Sequence, residues 1–215
     1  MIECRDLRTR GLECPALSVP EGLTAVIGLN GAGKTTLLEL AVGLRLPDAG
    51  EILVDGRPPR EVDAGWVAAF PERSLLFSRV RDEVASSCRF AGMDCEAVGA
   101  RVRAVARETG IEPLLERSTR TLSGGEKAIV ALAAALASRP VVLALDEFDA
   151  SLDPETLAVL LPLVRGAGVA HVLWSTHNPT VAELADGVIA LDRGRVSATG
   201  SGARALFDQW AGEGA

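Results

Sequence analysis

Gly28-Leu29-Asn30-Gly31-Ala32-Gly33-Lys34-Thr35-Thr36 is the stretch that decides the reading of this chain. It fits the pattern GxxxxGK[ST]. Glycines are needed there because backbone N–H groups must turn inward to cradle phosphate oxygens, and a side chain would obstruct both the turn and the approach. Leu23–Gly28 before it is a compact apolar run, read as a buried strand. From Lys34 to about Leu44 the pattern is helical, so the positive helix N-terminus is aimed at the same anion. In this arrangement Asn30, Gly31, Ala32, Gly33 and Thr36 line the cradle. Lys34 reaches the β- and γ-phosphates of a nucleoside triphosphate, and the Thr35 hydroxyl ligates Mg²⁺.

Outward from that loop, short apolar runs alternate with helical stretches. Ile2–Leu7, Ala16–Val19, Glu51–Asp55 and Trp66–Phe70 read as strands, with Asp55-Gly56 as a hairpin signal. From Ser78 to about Ser138 the pattern is helical. Val98, Val102, Val105 and Ala106 form one stripe, ended by Gly110. Beyond Pro140 the alternation resumes. Val141–Asp146, Ala170–Ser175, Val188–Asp192 and Arg195–Ala198 read as strands, and Pro154–Arg165 and Pro179–Ala185 as helices. Alternation of this kind predicts an α/β fold with a mostly parallel sheet. The helical stretch at about 74–136 reads as an inserted lobe of one domain spanning 1–215.

The second chemical element is Val141-Val142-Leu143-Ala144-Leu145-Asp146-Glu147. An apolar strand delivers Asp146 to the sheet's end, where it can hold Mg²⁺ through water. Glu147, one residue on, is placed to polarise an attacking water. Composition narrows the partners. The formal net charge is −7 and the basic residues are scattered, which argues against a nucleic-acid partner. Cys4, Cys14, Cys88 and Cys95 form no CxxC pair and read as reduced thiols. The N-terminus lacks a signal-peptide apolar core. The longest apolar run, Ala128 to Ala137, is half of the ~20 residues a bilayer requires.

Leu122-Ser123-Gly124-Gly125-Glu126 then carries a resemblance. With the two motifs above, this LSGG element, which begins a helix with Ser123 as its N-cap, resembles the signature of the ABC ATPase family. Ala150-Ser151-Leu152-Asp153 is similar to the family's D-loop, and His177 in Ser175-Thr176-His177-Asn178 to its switch histidine. The resemblance covers residues 1 to about 200. It implies a P-loop NTPase core, an N-terminal antiparallel β subdomain and a helical lobe. It also implies ATP as substrate, with Mg²⁺, and a head-to-tail pair of such domains, identical or homologous. Each ATP would lie between the phosphate loop of one copy and Ser123, Gly124 and Gly125 of the other, with Asp153 at the same junction. Lys34, Glu147 and His177 would carry the hydrolytic step. An integral membrane transporter subunit would be the second partner, placing the chain on the cytoplasmic face of the cell membrane.

The sequence departs from the family pattern in four places. The glutamine usual after the strand at Trp66–Phe70 is absent, since the only glutamine is Gln209. Glu72, in Pro71-Glu72-Arg73-Ser74, is the nearest side chain that could substitute. No tyrosine exists, and no Phe or Trp precedes Trp66, so Arg8 or Arg10 would have to stack on adenine, or nothing does. Ala128-Ile129 stands where the family has Gln-Arg, and Phe148-Asp149 where it has Pro-Thr. Within the family, Pro71–Phe77 and Val80–Val84 resemble energy-coupling-factor type importers. A small-molecule exporter and a soluble or regulatory ABC ATPase are the alternatives.

Overall fold

The structure, a computed structural model, describes residues 1–70 and 75–213. Among these, nine strands form one sheet: β1 (Ile2–Thr9), β2 (Leu12–Val19), β3 (Gly22–Ile27), β4 (Ala49–Val54), β5 (Ala64–Val67), β6 (Val142–Asp146), β7 (His171–Ser175), β8 (Gly187–Asp192) and β9 (Arg195–Thr199). Their spatial order is β4-β1-β2-β9-β8-β3-β7-β6-β5. The run from β8 to β5 is parallel throughout. β4, β1 and β2 are antiparallel, and β9 returns antiparallel on β8. A single parallel pair, Glu13 with Arg195, joins the two halves.

The parallel strands carry apolar side chains on both faces, as a sheet covered on both sides requires. Leu143, Leu145, Val172 and Trp174 face one core, which holds most of the helical lobe. Val142, Ala144, Leu173 and Ile189 face another, which holds α1 (Lys34–Ala41) and the antiparallel strands.

The helices obey their local chemistry. α2 (Val80–Phe90) and α3 (Cys95–Thr109) build the lobe. Asp94 caps α3 by accepting from the Ala97 N–H, and Gly110 ends it at φ 75°. Arg101 of α3 donates to the carbonyls of Leu136 and Ala137, closing the C-terminus of α4 (Gly124–Ala137). α5 (Pro154–Gly166) begins with proline at its first position behind the Asp153 cap. α6 (Pro179–Leu184) follows β7.

Two differences from the sequence reading stand out. Asp55-Gly56 does make a tight turn, closed by a Val54–Arg57 bridge, but no hairpin follows. The chain instead runs through a 3₁₀ turn at Pro59–Glu61 to β5, on the opposite edge of the sheet. Turn chemistry fixes a local reversal and does not say which strand will be paired. The second is α7 (Gly200–Glu213), for which no helix is predicted above. Its signal was present: Ala203, Leu206, Phe207 and Trp210 recur at helical spacing and pack on the larger core.

Candidate nucleotide site

β3, β6 and β7 lie side by side, with Val26 opposite Ser175 and Ser175 opposite Asp146. Their C-terminal ends therefore open at one point, where the topology of a parallel sheet creates a crevice. The glycine loop leaves β3 into this crevice. Gly28, at φ 152°, has no room for a side chain, because a Cβ there would lie 2.4 Å from the Leu191 carbonyl oxygen. Gly31 and Gly33 take φ 79° and 103°, the left-handed region that glycine enters at little cost. Gly33 is also the N-cap of α1, and no side chain caps that helix. Its first N–H groups therefore remain available to an anion.

Lys34 is almost fully buried, yet its amine is well supplied with partners. It donates to the Gly28 carbonyl at 2.9 Å, lies 2.9 Å from His177 Nε2 and 3.2 Å from Glu147 Oε1. Nε2 is in turn 3.5 Å from Glu147 Oε1. Lys34, Glu147 and His177, predicted as the hydrolytic trio, meet at one place.

Glu147 reaches it by a strained turn at φ 47°. A non-glycine residue in this conformation costs on the order of 1–3 kcal/mol and persists only where its surroundings over-determine it. Here they do: the Glu147 N–H donates to both the Ser175 carbonyl (3.0 Å) and the Ser175 hydroxyl (2.8 Å). The same hydroxyl donates to Asp146 Oδ1 at 2.7 Å. The exposed Thr35 hydroxyl lies 3.0 and 2.9 Å from the two oxygens of Asp146. Ser175 is thus a site residue that motif reading passed over. The hint in the sequence was a hydroxyl following the apolar run Val172-Leu173-Trp174.

The signature stands apart. Ser123 caps α4 through a reciprocal box: its hydroxyl accepts from the Glu126 N–H, while Glu126 Oε2 accepts from the Ser123 N–H at 2.7 Å. That N–H, with Arg117 nearby, holds the Glu126 carboxyl below its usual range. Gly125 lies against Thr156, whose hydroxyl donates to Asp153 at 3.0 Å; a Cβ on Gly125 would come within 2.7 Å of that hydroxyl. Signature and D-loop therefore share one exposed surface. Among the described residues, no hydrogen bond or ion pair joins Ser123, Gly124, Gly125 or Asp153 to the phosphate loop. Glu72 lies outside the described residues.

Beside the glycine loop lies an open cleft lined by Arg8, Thr9, Gly11, Leu12, Glu13, Arg193, Gly194 and Arg195. It adjoins the phosphate loop, since the Gly194 N–H donates to the Ala32 carbonyl. Arg8 and Arg195 flank Glu13, and among the described residues that line the cleft none is aromatic.

A buried strand, a glycine loop capping a helix, and a lysine and threonine meeting two carboxylates at the end of β6, the next strand but one, define a P-loop nucleoside triphosphatase. The comparisons narrow the class. A family profile described as ABC transporter matches residues 15–150. The chain is 39% identical over 197 residues to the energy-coupling factor transporter ATP-binding protein EcfA1 of Symbiobacterium thermophilum, covering 86% of this chain and 68% of that protein. It is 38% identical over 210 residues to the nickel import ATP-binding protein NikO of Rhodobacter capsulatus, covering 88% and 83%. Among solved structures, cbiO1 from Clostridium perfringens, part of the ABC transporter complex cbiONQ, superposes with TM-score 0.83 at 27% identity over 97% of this chain and 91% of that one. The chain belongs to the ABC transporter family, as one of its ATP-hydrolysing cassettes.

Proposed function

We propose that this chain is the motor subunit of an importer, binding ATP between two cassettes and hydrolysing it to drive a membrane partner. The relatives named as energy-coupling factor and nickel import proteins support import over export. No helix among the described residues is long and apolar enough to cross a membrane, so the pathway would belong to a partner subunit, with this chain bound at its cytoplasmic face.

The observation that carries the reading is a division of the chemistry. The phosphate loop, Lys34, Glu147 and His177 form one cluster, while Ser123 and Asp153 form another that is exposed and, among the described residues, has no hydrogen bond or ion pair to the first. A second cassette placed head to tail would bring the two together around the γ-phosphate.

In such a site the loop amides and Lys34 hold the β- and γ-phosphates. Glu147 orients the water and accepts its proton, and His177 contacts the γ-phosphate side. The Ser123 hydroxyl retains its donor for the opposite nucleotide. Mg²⁺ fits the residues present. The Thr35 hydroxyl and Asp146 carboxylate converge as hard oxygen donors. Among the described residues no cluster of three or more His, Cys, Asp or Glu forms an all-protein cage. That suits an ion which keeps waters and takes phosphate ligands. When bound, it supplies neutralisation of phosphate charge; Thr35 and Asp146 would hold it.

The Ser123→Arg variant tests the composite site. It should leave nucleotide binding to a single chain unchanged and abolish ATP-induced pairing on gel filtration, because the damage acts in trans. Equal loss of binding by the isolated monomer would refute the arrangement.

A further inference from the structure

Two residues beyond Glu147, Asp149 is buried, and its carboxylate spans two elements. Oδ1 accepts from the indole N–H of Trp174 at 2.8 Å, and Oδ2 from the hydroxyl of Thr176 at 2.6 Å. Both donors are fully buried. No ion pair involves Asp149 among the described residues, so its charge is held by two neutral donors. That is a costly way to fill an interior: a buried carboxylate is tolerated only when hydrogen-bonded, and an apolar pair of similar volume would cost less.

The cost is spent next to His177. Thr176 precedes the histidine and Asn178 follows it. The Thr176 hydroxyl, held by Asp149, also accepts from the Asn178 N–H at 2.8 Å, and the Thr176 N–H donates to Val26 at 3.1 Å. Asn178 then caps α6 through the Thr180 N–H. The backbone on both sides of His177 is therefore tied to one hydroxyl, and that hydroxyl to Asp149. The imidazole itself is half exposed, so its aim is set through this backbone. On the other side, the Asp149 carbonyl accepts from the Leu152 N–H, next to Asp153.

We infer that Asp149 is a positioning residue for hydrolysis, a buried clamp that holds the His177 loop in register with Glu147 and the D-loop. The inference rests on the nucleotide reading above. It requires the clamp to affect turnover and leave ground-state ATP binding alone, because neither Asp149 nor Thr176 faces the phosphates.

Asp149→Asn keeps the volume but replaces one acceptor oxygen with a donor facing Thr176. Its kcat for ATP should fall about tenfold with KM within about twofold, the pattern of a contact felt only in the transition state. Thr176→Val should fall similarly, and Thr176→Ser, which keeps the hydroxyl, should restore turnover. Against whatever rate His177→Ala leaves, adding Asp149→Asn should cost nothing further, since coupled residues are not additive. Wild-type kcat in Asp149→Asn with His177→Ala impaired would overturn the clamp alone. So would a Thr176→Ser rate as low as that of Thr176→Val, or a KM that rises in step with the loss of kcat. A His177→Ala variant at the wild-type rate would overturn the role of His177 and the clamp with it. If Asp149→Asn does not fold, the Thr176 pair decides.

Discussion

The two ends of the nucleotide cleft are built differently. At the phosphate end, the charged side chains have partners fixed by backbone or by a buried side chain. Lys34 is held at 2.9 and 3.2 Å by three groups from three segments, and Ser175 braces both Asp146 and Glu147. In the cleft beside the glycine loop, where the proposed reading puts the base, Arg8 and Arg195 are largely exposed and, among the described residues, form ion pairs with Glu13 at 3.8 and 2.7 Å. Exposed pairs of this kind contribute about 0–1 kcal/mol and are screened by salt. On the proposed reading, the site is preorganised where charge must be managed, and the exposed arginine cleft, taken as the base end, is permissive.

Substitutions at the phosphate end should therefore be severe. Lys34→Ala removes the buried ammonium that the proposed reading sets beside the β- and γ-phosphates. It should lower turnover by at least about a hundredfold, the scale seen when a single preorganised charge-stabilising donor is lost. Unchanged turnover would remove the phosphate-loop assignment.

Glu147→Gln should divide the phosphate end into binding and chemistry. The amide keeps the ground-state contacts but cannot take the proton from water. Nucleotide binding should survive, hydrolysis should be lost, and an ATP-bound dimer should accumulate on gel filtration if the chain pairs with itself. Hydrolysis at the wild-type rate would show that another group is the base.

At the base end the same comparison expects tolerance. Base–aromatic stacking contributes on the order of 1–3 kcal/mol, and no ring lines this cleft. GTP should compete with ATP within roughly tenfold, equivalent to about 1.4 kcal/mol. A thousandfold preference for ATP in a competition assay would mean that the arginine cleft reads the base after all.

The smallest effect concerns pH at the exposed signature and D-loop surface. The Thr156 N–H holds the Asp153 carboxyl low, and the Ser123 N–H does so for Glu126. Their folded-state values lie below the unfolded ones, about 3.9 and 4.3. The stability they contribute is complete above those values and is lost as pH falls through the lower folded values. Amide exchange at Thr156 and Ser123, corrected for its intrinsic pH dependence, should accelerate below about pH 4 while the Leu37 amide of α1, bonded to the Gly33 carbonyl, stays protected. Uniform loss of protection across both surfaces would show that the caps add nothing local.

Local chemistry made much of this legible before any coordinates. Glycine spacing, an apolar strand ending in Asp146-Glu147 and a serine-capped helix are short-range patterns, because cradling phosphate and capping a helix use neighbouring residues. The strand and helix alternation was likewise written in hydrophobic period. What tertiary structure alone decided was long-range. Strand pairing carries the chain from Asp55-Gly56 to the far edge of the sheet, although that dipeptide is a hairpin signal. The register of β3, β6 and β7 brought Lys34 to Glu147 and His177, and made Ser175 a shared brace. Burial gave Asp149 its role: in sequence it is one more acid in a loop, and only the packing of Trp174 and Thr176 against it turns that acid into a clamp. Such contacts join residues far apart along the chain, and their energy depends on exclusion of water, which no local pattern encodes.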